Sequence, residues 1–351
     1  MKLSTQAVTM KKRYPLRISR ELITESRNLL VTLQQGDLLG VGEVATDGNA
    51  TDNPEAAACE LSRFTSDIGG AETLPDSPSI FDFWHSARSW GMSPAVLAGL
   101  DIALWDLHAK KLGKPLYHVL GLSNSLVSTS ITVGINPPEV LKERVPEILA
   151  RTGATVLKIK LGASEGIEAD QSSFMAIHEA VKNHQGVALR VDANGGWSLK
   201  AAQQMMPWLE ERGVEFIEQP LAAGQAALLP ILFKDRVLPI FVDESCHFSA
   251  DVPPLASCTD GVVVKLMKCG GISEALRVVA TCRAFGLKTM IGCMGESSIA
   301  ISAGAALGCL FDYIDLDSHL NLEPDIAVGV KMQDGRLILS EEVGHGASLC
   351  Y

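Results

Sequence analysis

Between residues 130 and 315, short β-branched or apolar runs alternate with longer amphipathic stretches. The runs lie at 130–133, 156–160, 188–192, 215–218, 240–243, 261–265, 288–291 and 313–315. The stretches between them, such as 198–212 and 273–285, carry apolar residues at helical spacing. Eight strands alternating with helices predict a parallel α/β barrel closed on itself. An open doubly wound sheet is the competing arrangement. Eight units suit the barrel better, and no GxGxxG turn follows the first strand.

The flanks have a different texture. Asn28-Leu29-Leu30-Val31-Thr32-Leu33 and 38–44 read as two strands joined at Gln35-Gly36-Asp37, a hairpin. Asp47-Gly48-Asn49 and Asp52-Asn53-Pro54 mark a polar loop, 45–53, expected to close over a site. Leu97, Leu100, Leu104 and Leu107 make one apolar stripe on a helix with Ser93 as N-cap and Pro94 in its first turn, stopped by Gly113 and Pro115. Gln333-Asp334-Gly335-Arg336 signals a hairpin in the tail. The expected organisation is an α+β cap over 1–125, a barrel over 126–322, and a segment, 323–351, that returns to the cap.

The chemistry concentrates at the strand ends. Asp192, Glu218 and Asp243 each close a run, at steps of about one βα unit, which places them on successive strands at the C-terminal rim where barrel sites are built. A single acid there would most simply cap the next helix. Three at even spacing, flanked by lysines, would repel one another without a counter-charge. Three oxygen ligands suit Mg²⁺, whereas Zn²⁺ would favour His or Cys.

Lys158 and Lys160 stand at i and i+2, so both point to one face of their strand. Lysine is rarely buried without a partner. Beside a cation it gives up its proton more easily and can serve as a general base. Lys265 and Lys268 both lie near the sixth strand, and adding the 25-residue step to Asp243 lands on Lys268, which spacing therefore favours. Asp315 and Asp317, again at i and i+2, share a face of the eighth strand and can bind a cation.

Composition narrows the classes. With 30 Lys and Arg against 41 Asp and Glu the net charge is −11, which argues against a nucleic-acid partner. The 47% apolar content excludes a disordered chain. No window approaches an uninterrupted membrane span, so no membrane partner is expected. The N-terminus lacks a signal-peptide core. Eight cysteines without a CxxC pair read as free thiols, which fits a cytoplasmic protein. The eight histidines form no ligand pair; His247 and His319 lie near strand ends and read as packing residues. A homo-oligomer is left open.

Taken together, Lys158-Ile159-Lys160, Asp192-Ala193-Asn194, Glu218-Gln219-Pro220, Asp243-Glu244-Ser245 and Lys265-Leu266-Met267-Lys268-Cys269-Gly270-Gly271 resemble the enolase superfamily, in its muconate-lactonizing subgroup. Gly40-Val41-Gly42-Glu43 and Ala103-Leu104-Trp105-Asp106 resemble that subgroup's capping domain. The resemblance implies a (β/α)7β TIM-like barrel with a discontinuous α+β cap.

It also implies a Mg²⁺-dependent isomerase with one metal ion per subunit, held by Asp192, Glu218 and Asp243. The metal would bind a substrate carboxylate and stabilise an enediolate. Lys160 and Lys268 would then exchange protons on opposite faces of the α-carbon, with Lys158 as their electrostatic partner.

The Asp315-Leu316-Asp317 motif is similar to that of the dipeptide epimerases, where it grips a substrate ammonium. The implied substrate is a dipeptide such as L-Ala-D/L-Glu, or another L-Xaa-L/D-Xaa. Thr132 and Glu296 are expected to line the pocket. Arg20 would favour an acidic second residue, and Ile23 a hydrophobic one. The alternatives within the subgroup are an N-acylamino acid racemase, an o-succinylbenzoate synthase or a cycloisomerase. Outside it stands a catalytically idle ligand-binding barrel.

Overall fold

The computed structural model describes residues 1–46, 53–68, 74, 79–182, 184 and 186–350. The N-terminal third opens with three long strands, β1 (Lys2–Arg17), β2 (Leu22–Gln35) and β3 (Leu38–Ala45), in an antiparallel sheet of order β1-β2-β3. The expected turn at 35–37 joins β2 to β3, with Gly36 at φ +61°. The polar-loop residues Asp47 and Asp52 lie outside the described residues.

Three helices follow: α1 (Pro54–Ile68), α2 (Ile80–Trp90) and α3 (Pro94–Lys111). The single stripe expected on α3 is a correction. The helix is buried on nearly every side, Asp101 and Asp106 included, because β3 lies on one face and the barrel's helices on another. Gly42 makes the sheet contact close: a Cβ there would stand 1.9 Å from Gly99 O. Ser93 does not cap α3 with its side chain. Its backbone N–H and hydroxyl instead donate to the Glu60 carboxylate on α1, at 2.5 and 2.8 Å.

After α4 (Leu116–Val119) the barrel runs β4 (Ile131–Val133), α5 (Pro138–Thr152), β5 (Val156–Lys160), α6 (Ile167–Val181), β6 (Ala188–Asp192), α7 (Leu199–Glu210) and β7 (Val214–Glu218). It continues with α8 (Leu229–Lys234), β8 (Ile240–Val242), α9 (Val252–Leu255), β9 (Gly261–Lys265), α10 (Leu266–Cys269), α11 (Ile272–Ala284), β10 (Lys288–Gly292), α12 (Ser298–Ala305) and β11 (Tyr313–Asp315). The eight strands pair in sequence order, all parallel. Thr129 bridges to Ile314 and Ser130 N donates to Ile314 O, which closes the ring. Every run read as a strand is one, within about a residue at each end.

Phe216, Phe241, Val263 and Met290 form a separate apolar cluster inside the strands, with Tyr313 against it. The Arg190 guanidinium lies over the Phe216 and Tyr313 rings, 5.3 and 4.8 Å from their centroids. This plug fills the N-terminal half of the barrel and leaves chemistry to the other end.

The cap is fixed over that end by buried polar contacts. Trp84 Nε1 donates to Gly270 O at 2.6 Å, and Trp105 Nε1 to Ser273 Oγ at 3.0 Å. The Asp101 carboxylate accepts from Ser273 N and Oγ at the start of α11. Glu43 accepts from Ser297 N, Ser297 Oγ and Ala300 N at the start of α12.

The tail forms β12 (Ala327–Val328), β13 (Lys331–Gln333), β14 (Arg336–Ile338) and β15 (Ser348–Leu349). Its β13–β14 hairpin has the expected turn but meets the barrel, where Thr129 N donates to Gly335 O. Its flanks reach the cap: Glu323 N donates to Lys11 O, and His345 N to Asp106 Oδ1. Among the described residues no helix is long and apolar enough to cross a membrane. All eight cysteines are free.

Candidate active site

The strand register assembles the site. Lys160 pairs with Asp192, and Asp192 with Glu218, so three charged side chains stand side by side at one level of the ring. Gly292 pairs with both Lys265 and Asp315, and its missing side chain leaves room for the Lys265 stem: a Cβ there would stand 3.3 Å from Lys265 Cε. Asp243 follows β8, and its backbone N–H donates to Gln219 Oε1 at 2.8 Å. Asn194 and Gln219 follow acids of the ring and hold left-handed conformations, φ 43° and 37°. That backbone lets Asn194 N and Nδ2 turn back onto Asp192, at 2.7 and 3.2 Å.

These residues surround a cavity of about 480 Å³ between barrel and cap. Of the residues singled out in the sequence, Arg20, Ile23, Thr132, Lys158, Lys160, Asp243, Lys265, Lys268, Asp315 and Asp317 line it. Asp192 and Glu218 lie beneath, with no exposed surface.

The electrostatics are those of a buried mixed-charge cluster. Lys160 Nζ donates to Asp192 Oδ2 at 2.5 Å. Lys158 Nζ donates to Asp315 and lies 3.5 Å from Glu218 Oε2 and 3.9 Å from Asp192 Oδ2. Burial works to lower the pKa of Lys158, but Asp315, Glu218 and Asp192 outweigh it and hold the ammonium well above its ordinary value. Burial pushes Glu218 well above the usual carboxylate range, helped by the charge of Asp192. At Asp243 burial is opposed and overcome by Lys265 and Lys268, which hold it below that range.

Glu218 is the acid left over. Among the described residues neither of its buried carboxylate oxygens has a hydrogen-bond partner, an arrangement that costs free energy unless something else meets them. Among the described residues no three acidic, His or Cys side chains close into a preformed metal cage; the lysines stand between the carboxylates instead. The donor set, all carboxylate oxygen with two orphaned atoms in the middle acid, fits a hard divalent cation such as Mg²⁺.

The two lysines near β9 have different settings. Lys265 ends the strand, lines the cavity and donates to Asp243 Oδ2 at 2.6 Å. Lys268 is on the next helix, and its ammonium is held by the carbonyls of Asp243, Cys246 and Val263, besides Asp243 Oδ1 at 2.5 Å. Lys268, which spacing favours, lines the cavity as well, so it is the partners of the two ammonium groups that differ. An ammonium with its donors committed to backbone carbonyls anchors loops, whereas Lys265 answers to the ring of acids. Strand-to-strand spacing lands on Lys268, one helical turn past the strand end, because α10 begins directly after β9.

Glu296 also departs from expectation. It is buried behind the cavity rather than lining it, and its carboxylate folds back onto the Met294 N–H. Burial, reinforced by Glu43, raises its pKa to about 7.

Thr132 donates to Asp317 through its backbone N–H at 2.6 Å and its hydroxyl at 3.3 Å. Asp315 is engaged by Lys158 and by Ser130 Oγ at 2.6 Å. Arg20 Nη1 donates to Glu244 Oε1 at 3.0 Å. His247 lines the cavity, whereas His319 is buried with neither ring nitrogen hydrogen-bonded among the described residues, and burial lowers its pKa to about 4. Lys12 and Glu244 also line the cavity. Neither carries a signal in the sequence, since each lies in or beside a segment whose neighbours are equally charged.

Residues 1–121 match the "Mandelate racemase / muconate lactonizing enzyme, N-terminal domain" family, and residues 140–350 match "Enolase C-terminal domain-like". The chain belongs to the mandelate racemase/muconate lactonizing family of the enolase superfamily. Within that family, it is 55% identical to a hydrophobic dipeptide epimerase of Roseobacter litoralis, over 100% of both chains. It resembles the dipeptide epimerase of Enterococcus faecalis V583 complexed with Mg and the dipeptide L-Leu-L-Tyr, at TM-score 0.89 and 31% identity over 99% of each chain. It also resembles the dipeptide epimerase of Methylococcus capsulatus complexed with Mg and L-Arg-D-Lys, at TM-score 0.86 and 32% identity over 99% of each chain.

Proposed function

We propose that the protein epimerises dipeptides with hydrophobic side chains at the α-carbon of their second residue, in a Mg²⁺-dependent reaction. The observation that carries this reading is the position of two buried lysines. Lys160 is on β5 and Lys265 on β9, four strands apart in a ring of eight, so they face each other across the barrel. A planar α-carbon held between them has one ammonium or amine on each face. Lys160, as the neutral amine, takes the α-proton from one face, and the ammonium of Lys265 returns a proton to the other. The reverse reaction exchanges their roles. Lys158, locked between Asp315, Glu218 and Asp192, stays charged and faces the substrate carboxylate.

Asp192, Glu218 and Asp243 would hold the metal ion. When bound, Mg²⁺ supplies fixed positive charge where negative charge builds on the substrate carboxylate. The hydrophobic preference is supported by the 55% identity to the Roseobacter litoralis enzyme. It is also supported by a lining that includes Leu16, Ile18, Ile23, Ile131 and Val133, and by an Arg20 already committed to Glu244. Asp317, beside Asp315, would receive the substrate ammonium. Eight free thiols suit the reducing cytoplasm.

The test is exchange in D₂O with Mg²⁺, followed by proton NMR over a dipeptide panel. Deuterium should enter at the second α-carbon of dipeptides such as L-Leu-L-Leu, with both epimers accumulating. Failure of every hydrophobic dipeptide to exchange would overturn the reading.

A further inference from the structure

Lys12 has no part in the reaction just described. It sits on β1, in the cap, and its side chain lines the cavity. The ammonium donates to Ser26 Oγ on β2 at 3.2 Å, and it is in no ion pair among the described residues. The charged and ionisable groups whose fields reach it are Cys293, Asp317 and Glu296. Burial draws its pKa down against these three. Gly295, after β10, lies on the same side: a Cβ there would stand 2.4 Å from Ser26 Oγ and 3.8 Å from Lys12 Nζ. Lys12, Ser26, Gly295 and Asp317 therefore form one end of the cavity.

That end is where the substrate's first residue belongs if its ammonium meets Asp317. The first side chain leaves the same carbon as that ammonium, so a group beside Asp317 stands beside the first side chain. The second α-carbon lies elsewhere, between Lys160 and Lys265. We propose that Lys12 acts as a charge filter on the first residue of the dipeptide, disfavouring cationic side chains and leaving apolar ones unaffected. This inference rests on the dipeptide reading above. A fixed ammonium in a partly desolvated pocket repels a second cation placed within several ångströms, while a leucine side chain feels no such force. The same cation would weigh equally on the ammonium common to all dipeptides, which Asp315 and Asp317 compensate. The filter therefore acts on the difference between side chains.

The experiment compares kcat/KM for L-Leu-L-Leu and L-Lys-L-Leu in the Mg²⁺-loaded wild-type enzyme, Lys12→Met and Lys12→Arg. Lys12→Gln, which can still hydrogen-bond Ser26, serves as a second neutral variant. The wild type should prefer L-Leu-L-Leu. The two neutral variants should narrow that preference by roughly tenfold, chiefly through KM for L-Lys-L-Leu, while Lys12→Arg keeps it. Because each ratio is internal to one protein, a general loss of folded enzyme cancels. An unchanged ratio in both neutral variants overturns the filter while leaving the dipeptide reading intact. No turnover of either dipeptide by the wild type overturns that reading, and the filter with it.

Discussion

Arg20 and Glu244 neutralise each other at the edge of the cavity, Nη1 to Oε1 at 3.0 Å. An arginine beside the second residue would ordinarily read an acidic side chain, but this one already has a carboxylate partner from the loop after β8. In the proposed reaction the pair would leave Arg20 compatible with apolar substrates. Glu244→Gln should release the guanidinium and raise kcat/KM for L-Ala-L-Glu relative to L-Ala-L-Leu by roughly tenfold. Arg20→Met should leave that ratio low. Steady-state rates on the two dipeptides decide it.

Lys160→Ala and Lys265→Ala should each lower epimerisation by at least about a hundredfold. Each should still exchange the α-proton of the one epimer that presents it to the surviving lysine. Stereospecific exchange in D₂O reads this directly. Lys268→Met should behave differently, with a loss of about 3 kcal/mol in stability as the carbonyls and Asp243 lose a buried cation. Denaturant midpoints separate the two behaviours.

Removing divalent cation with a chelator should lower the melting temperature, and Mg²⁺ should restore it. Binding to the folded state alone contributes about 2.7 kcal/mol at a hundredfold excess over Kd. Glu218→Gln should abolish the Mg²⁺-dependent shift without needing any assay of turnover.

Asp101 has its carboxyl pKa raised to about 7, foremost by burial, against the hydrogen bonds from Ser273. The folded state therefore holds a proton that the unfolded chain releases near pH 4. Stability from this group is fully present below about pH 4, falls as pH rises towards 7 and is flat above. The loss across that window is about 4 kcal/mol. Glu296, raised to about 7, adds a slope of the same sign. Asp101→Asn should shallow the decline without removing it, as followed by melting temperature between pH 5 and 8.

Gly42→Ala should destabilise the cap by about 3 kcal/mol, because the new methyl would stand 1.9 Å from the Gly99 carbonyl and force β3 away from α3. Gly36→Ala meets nothing within 4 Å among the described residues, and it is the left-handed backbone that opposes the change. Its cost should be about 1 kcal/mol. Chemical denaturation distinguishes the two.

Local pattern carried a large share of this protein. The eight strands, the acids at or just after the ends of three of them and the paired lysines of β5 are legible because strand period and βα spacing are properties of short segments. The hairpins at 35–37 and 333–336 are legible for the same reason. The burial of α3 on nearly every side was not, because it depends on a sheet and a barrel meeting the helix from two directions. The Ser93 hydroxyl turns to Glu60 for a similar reason: the acid comes from another helix. Glu296 follows the same logic, since whether an acid after a strand faces a cavity or the core behind it depends on how the loop folds back.

By itself, then, the sequence determined the barrel, its cap and the set of charges brought to the strand ends. Tertiary structure decided which charge answers which. Lys265 and Lys268 are three residues apart, and only the ring of strands shows that one faces Lys160 while the other is tied to carbonyls. Arg20 and Lys12 belong to one strand and the turn after it, yet Arg20 pairs with Glu244, and Lys12 bonds Ser26 in the field of Asp317. Electrostatic partnership depends on distance through space and on solvent exclusion, and neither is encoded at the spacing of neighbouring residues.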